Sequence, residues 1–187
     1  MKERPILFSA PMVRAILDGS KSQTRRVVKQ DRDGLLDCKP TPAWDAFWQC
    51  VACPYGKPGD RLWVRETWSA DAWFDGHAPN DIPDSAYIAY AAGRRAVAWP
   101  AAMGKVRPSI HMPRWASRIL LEVTDVRVER AQDISDRDAR DEGAEQIGDC
   151  EGAYVAGFRR LWESINGADS WSANPWVWVV EFRRIEP

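Results

Sequence analysis

The sequence predicts an α+β protein, a mixed sheet of about six strands closing toward a barrel with helices at its flanks. Three observations lead there. Strand-like segments are spread over the whole chain and carry apolar residues on both faces. Only three short stretches have helical spacing. Strands and helices do not alternate as regular βαβ units. At 187 residues the chain fits one domain, 1–187, with long insertions at about 30–60 and 68–118.

The elements follow in order. Ile6-Leu7-Phe8 reads as a short strand. Pro11 suits a first helical turn, and Met12, Val13, Ile16 and Leu17 make a helical stripe that Gly19 stops. Thr24 to Val28 reads as a second strand. Residues 30–60 read as loop, punctuated by Asp33-Gly34, Pro40, Pro42, Pro54, Gly56, Pro58 and Gly59. Asp60 to Trp68 is a strong strand in which Leu62, Val64 and Glu66 share a face, so a carboxylate follows two apolar residues inward. Residues 69–84 read as a polar loop, Tyr87 to Ala91 as a short strand and 93–118 as irregular chain. Ile119 to Val128 is the clearest long strand. Ser135-Asp136-Arg137-Asp138 resembles a capping box opening a helix that Gly143 ends. Tyr154, Phe158, Leu161, Trp162 and Ile165 give a second amphipathic helix, and Trp176 to Ile185 a last strand.

Composition narrows the class. Apolar content of 45% and charged content of 28% are those of a soluble globular protein. No apolar run approaches the ~20 residues that span a bilayer, so no membrane partner is expected. The N-terminal Met1-Lys2-Glu3-Arg4-Pro5 is no secretory leader, which gives a cytoplasmic expectation. The four cysteines, Cys38, Cys50, Cys53 and Cys150, are too few for a disulfide scaffold. Cys50-x-x-Cys53 with Cys38 offers soft metal ligands, with Cys150 or His77 as a fourth. A single CxxC is a weak zinc signal, so no metal and no cofactor are expected.

Net charge is −1, but the charge is segregated. Residues 1–30 hold seven Lys/Arg against two acids. Residues 85–121 hold six Lys/Arg and His111 with no acid, and residues 122–151 hold eleven acids against four arginines. Two basic segments meeting in space would attract an anion such as RNA or DNA, with Arg25, Arg26, Lys105, Arg107, Arg114 and Arg118 as contacts. Eleven tryptophans are mostly core, although Trp115 beside Arg114 could stack on a base.

The densest chemistry lies in Gly19-Ser20-Lys21-Ser22-Gln23-Thr24-Arg25-Arg26. A threonine hydroxyl becomes a nucleophile when a base takes its proton. A lysine can be that base if burial or neighbouring cations lower its pKa, and Arg25 and Arg26 are near Lys21. Lys21 and Thr24 fall on opposite sides of a straight strand, so a turn is needed for them to meet. A carboxylate would shuttle the proton of the leaving amine, and the residues leave Glu66 and Glu142 as candidates.

Gly19-x-Lys21-x-x-x-x-Arg26 resembles the signature of the ASCH (activating signal cointegrator homology) family. Gly59-Asp60-x-Leu62-Trp63-Val64-Arg65-Glu66 resembles its second block, and Val179-Val180-Glu181-Phe182 its third. The chain is similar to ASCH proteins of bacteriophages and prophages. The resemblance implies a PUA-like β-barrel that recognises RNA, DNA or a modified nucleoside. Lys21, Thr24 and Arg26 match the Lys-x-x-Thr-x-Arg pattern of the bacterial amidohydrolases that deacetylate N4-acetylcytidine. Ala139-Arg140-Asp141-Glu142 matches their Ala-x-x-Glu. The resemblance thus implies Lys21, Thr24 and Glu142 as a metal-independent catalytic set. Arg25, Arg26, Arg65, Glu66, Arg114 and Trp115 are the expected substrate or nucleic-acid contacts, with Glu66 supporting Lys21 or an arginine. Two alternatives stand beside the enzyme: a non-catalytic module that reads RNA or DNA, such as a modified base, and a ribonuclease in which Lys21 and an arginine stabilise the phosphorane, with His111 a better candidate than His77 for acid–base work.

Overall fold

The computed structural model describes residues 1–28, 53–93 and 103–185. Most of the expected loop at 30–60 lies outside the described residues, as do Cys38, Cys50, Trp44, Trp48 and Trp99. The chain divides into two compact units, neither contiguous in sequence. The first is Met1–Gly19, Asp60–Glu122 and Arg184–Pro187, and the second Ser20–Gly59 and Val123–Arg183.

In the first unit, β1 (Glu3–Leu7) runs parallel to β3 (Arg61–Arg65), with Glu3 opposite Arg61 and Leu7 opposite Arg65. The other edge of β3 pairs antiparallel with the start of β6 (Leu120–Arg130). Pro5 lies in β1, which has β3 as its one neighbour in the strand order; a residue without an N–H fits such an edge. Helix α1 (Ala10–Leu17) starts with Pro11 in its first turn, buries Val13 and Ile16, and stops at Gly19, whose φ of 82° is left-handed. The strand expected from Asp60 to Trp68 breaks at Glu66 and Thr67. The chain then restarts as β4 (Trp68–Ala70), which pairs antiparallel with β5 (Ile88–Tyr90) in a separate ribbon. Trp68, Ala70, Ile82, Met112 and Ala116 form the core beneath that ribbon. The segment expected as irregular chain carries two short 3₁₀ turns, Ser109–His111 and Arg114–Ala116.

In the second unit, β6 continues from Val123 and neighbours β7 (Trp176–Ile185), which pairs antiparallel with β2 (Gln23–Val27). Helix α2 (Asp136–Asp141) is capped by Ser135, whose Oγ accepts the Asp138 N–H at 3.0 Å. Helix α3 (Ala153–Asn166) follows Gly152 and has no cap of its own. Asp136 of α2 supplies one, its Oδ1 accepting the N–H groups of Tyr154 and Val155 at 2.9 and 3.1 Å. Phe158 and Trp162 from α3 pack with Ala131, Ile134, Ala139, Ala144, Val177 and Val179. At Gly157 the helix comes so close to Glu145 that an added Cβ would sit 1.8 Å from its carbonyl oxygen.

The α+β class holds. The expected barrel does not form among the described residues, where the strand order is open and the five-residue strands β1 and β2 each have one neighbour. No described helix is long and apolar enough to cross a membrane.

Candidate functional site

The turn at Asp18–Gly19 delivers the chain into Lys21, which makes an isolated antiparallel bridge to Glu142. Backbone bonds stitch this segment on both sides. Ser22 N–H donates to Asp141 O at 2.8 Å, and Phe182 N–H to Ser22 O at 2.8 Å. Glu142 is the C-cap of α2, fixed by its own N–H to Asp138 O and by Gly143 at φ 78°. Two residues 121 positions apart are thereby brought face to face.

Among the described residues the Lys21 ammonium has short hydrogen bonds to three acceptors. They are Glu142 Oε2 at 2.6 Å, Glu142 backbone O at 2.7 Å and Gln23 backbone O at 2.8 Å. Its side chain is fully buried and that of Glu142 is 3% exposed. Burial pushes the ammonium below the usual lysine range. Glu142 opposes that shift through its charge and hydrogen bond, and Arg26 and Arg25 add to the lowering. A cation at the carbonyl end of α2 also sits where the helix dipole favours it.

The turn expected between Lys21 and Thr24 is not what carries Nζ forward. The lysine's four methylenes reach along the strand to the Gln23 carbonyl, so Nζ lies against the peptide group joining Gln23 to Thr24. Thr24 is 1% exposed and sits opposite Val180. Strand alternation puts its side chain on the other face of β2 from Gln23 and Arg25, and its hydroxyl is not one of the three acceptors.

Arg25 was expected as a substrate contact, but its side chain is fully buried and engaged within the protein. Nε donates to Glu129 Oε1 at 2.9 Å, Nη1 to Gln23 Oε1 at 3.3 Å and to Glu142 Oε1 at 3.5 Å. Asp138 Oδ2 is 3.7 Å from Nη2, and the Phe158 ring centre is 5.9 Å from Cζ. Arg26, opposite Trp178, lies near enough to Tyr55 to oppose the upward push of burial on that phenol.

Beside this cluster opens a polar cleft of about 410 Å³ lined by Ser22, Gln23, Ser135, Arg137, Asp138, Asp141 and Glu181. Gln23 Nε2 donates to Asp138 Oδ1 at 2.9 Å, and Ser135 Oγ to Asp138 Oδ2 at 2.8 Å. Burial raises the Asp138 pKa, but these two hydrogen bonds, then the charges of Arg25 and Arg127, outweigh it and hold the carboxyl below its ordinary value. Arg127 forms a close ion pair with Glu181 and bridges Glu129. Thr24 does not line the cleft. Gln23, Asp138, Glu129 and Arg127 were missed in the sequence. Gln23 carries no chemical signature, and the other three read as the acid-rich, solvated stretch.

The remaining expected contacts belong to the first unit. Glu66 is 2% exposed and held by Arg118, Nε to Oε1 at 2.9 Å and Nη2 to Oε2 at 3.1 Å, so of its two expected partners it takes an arginine. Arg118 stacks over Tyr90, with Cζ 4.1 Å from the ring centre. Arg65 stacks on Trp63, and Arg114 pairs with Glu3 at 3.0 Å. Trp115 packs edge-on against Trp68 with ring centres 6.3 Å apart. Arg107 is buried and donates to Phe74 O at 2.6 Å. Much of the basic stretch is therefore spent on internal partners. His77 and His111 are exposed in this unit, whereas Lys21 belongs to the other. Among the described residues no cluster of His, Cys, Asp and Glu could hold a metal ion.

No protein-family model matches the chain, and no curated protein matches it. Among solved structures it is similar to protein EF3133 from Enterococcus faecalis V583, described by the family DUF984. The identity is 8% and the TM-score 0.47, covering 100% of this chain and 82% of that one.

Proposed function

We propose that the protein is an ASCH-type amidohydrolase of the cytoplasm that acts on N-acylated pyrimidines of the N4-acetylcytidine kind. The observation that carries this reading is the buried contact of 2.6 Å between Lys21 Nζ and Glu142 Oε2. It joins the two residues that the resemblance pairs as base and acid. The same ammonium rests against the peptide group of Thr24 and has a lowered pKa, as a base for a hydroxyl needs.

In this reading Lys21, as the neutral amine, takes the Thr24 hydroxyl proton while the oxygen attacks the amide carbonyl carbon. The tetrahedral adduct collapses, the C–N bond breaks, and the leaving amine takes a proton from the Lys21–Glu142 pair. Water then hydrolyses the threonine ester, releasing the carboxylic acid and restoring the hydroxyl. Incubation with N4-acetylcytidine should yield cytidine and acetate, and Thr24→Ala should lower kcat by about 100-fold or more. No turnover by the wild-type protein, or turnover unaffected by Thr24→Ala, refutes the reading.

One observation favours a second reading, a non-catalytic module that holds a modified base. The polar cleft beside the cluster is lined by Gln23 and Asp138 but not by Thr24. Binding of N4-acetylcytidine without turnover would select it.

A further inference from the structure

We propose that Arg25 is a positioning residue for Glu142, its buried guanidinium holding one oxygen of the carboxylate while Lys21 holds the other. The proposal rests on the amidohydrolase reading only for its effect on turnover.

The geometry is that of a two-cation clamp. Glu142 Oε2 is 2.6 Å from Lys21 Nζ, and Glu142 Oε1 is 3.5 Å from Arg25 Nη1. Both cationic side chains are fully buried. A carboxylate held by Lys21 alone could rotate about its last bond and leave a buried oxygen without a partner. Arg25 fixes that rotation because it is itself fixed. Glu129 accepts from Nε and Nη2, Gln23 Oε1 from Nη1, and Asp138 and the Phe158 ring lie on its remaining sides. A planar guanidinium can meet these groups together, which a point-charge ammonium cannot.

The charges explain why the clamp stays buried. Two cations share Glu142, so the surplus is balanced by Glu129 and Asp138, whose side chains are 18% and 26% exposed. Those acids are shared with Arg127, which also pairs with Asp125 and Glu181. Sign alternates from Lys21 through Glu142, Arg25, Glu129 and Arg127 to Glu181 near the solvent. Charged groups that act on Lys21 are Glu142 from the end of α2, and Arg26 and Arg25 from β2, the strand that follows it. Arg25 thus acts on Lys21 twice, as a like charge and by sharing its carboxylate. Removing that guanidinium should make the ammonium harder to deprotonate.

The test is the titration of the Lys21 ammonium by NMR in ¹⁵N-lysine-labelled protein, for wild type, Arg25→Gln and Arg25→Lys. Arg25→Gln should move the Lys21 titration to higher pH. It should also lower kcat on N4-acetylcytidine by about 10- to 100-fold with little change in KM. Arg25→Lys keeps the charge but cannot span Glu129 and Glu142 at once, so both effects should be smaller and of the same sign. Unchanged Lys21 titration in either folded variant overturns the proposal. If Arg25→Gln does not fold, Arg25→Lys decides by the same criterion. If the wild-type protein turns over no N4-acetylcytidine, the amidohydrolase reading fails, and the titration alone still decides the role of Arg25.

Discussion

The Lys21–Glu142 pair is suited to a double-mutant cycle, with Lys21→Met, Glu142→Leu and the double variant. At 2.6 Å, opposite unit charges attract by about 6 kcal/mol at an effective dielectric of about 20. Desolvation opposes this by several kcal/mol per ion, so the intact pair contributes little net stability. Breaking it is different. Glu142→Leu leaves the buried ammonium with two carbonyl acceptors and the like charge of Arg25. Lys21→Met leaves the carboxylate with Arg25 at 3.5 Å. Each single variant should lose about 3–5 kcal/mol. The double variant should lie closer to wild type than either, because no buried charge of that pair is stranded, for a coupling of at least about 2 kcal/mol. Urea unfolding followed by tryptophan fluorescence, at pH 7 and constant salt, reads all four proteins. Single losses below about 1 kcal/mol, or additivity within about 0.5 kcal/mol, would refute the electrostatic account of the site. The pH dependence has a definite sign. Lys21 has a folded pKa below its ordinary 10.5, so the burial penalty is fully present below the folded value. It is relieved as pH rises from there toward 10.5, and the wild type should gain stability relative to Lys21→Met across that window.

Three further outcomes are expected. Gly157→Ala should destabilise by about 1–3 kcal/mol in urea unfolding, although alanine is the better helix former, because its Cβ would overlap Glu145 O at 1.8 Å. The carbonyl cannot easily retreat, since Ala144 N–H and Ile147 N–H are bonded on either side of it, and a variant as stable as wild type would contradict this packing. Asp138→Asn should lose about 1–2 kcal/mol at pH 7. The lowered folded pKa of Asp138 means its contribution is present above about pH 4 and fades as pH falls through the folded value, so the two urea midpoints should converge in acid. Arg118→Met should cost about 2–4 kcal/mol by leaving the buried Glu66 carboxylate without its bidentate partner. Adding Glu66→Gln should recover part of that loss, and no recovery would point instead to the lost stacking on Tyr90.

Much of the fold was legible because local signals agreed with the outcome. Pro11 and Gly19 bracket α1, Ser135 caps α2, and the spacing from Tyr154 to Ile165 marks α3. The β7 span matches its run of β-branched and aromatic residues. The continuous strand through Trp68 was not legible as two pieces. Where β3 ends, Glu66 is held by Arg118, 52 residues away. The cap of α3 was equally hidden, since the oxygen that accepts its first N–H groups comes from Asp136 in another helix.

The sequence by itself determined the α+β class, the element order and a dense polar segment from Lys21 to Arg26, because these depend on periodicity and on turn and cap residues close along the chain. It left both Glu66 and Glu142 as candidate carboxylates, and only the resemblance favoured Glu142. Tertiary structure decided which carboxylate meets Lys21. It also decided that Arg25 faces inward among Glu129, Asp138 and Glu142, and that much of the basic stretch is occupied by Glu3, Glu66 and backbone carbonyls. The physical reason is common to all three. A charged side chain reads the same in sequence whether solvated or buried, and only the partners that folding brings from far along the chain make burial affordable.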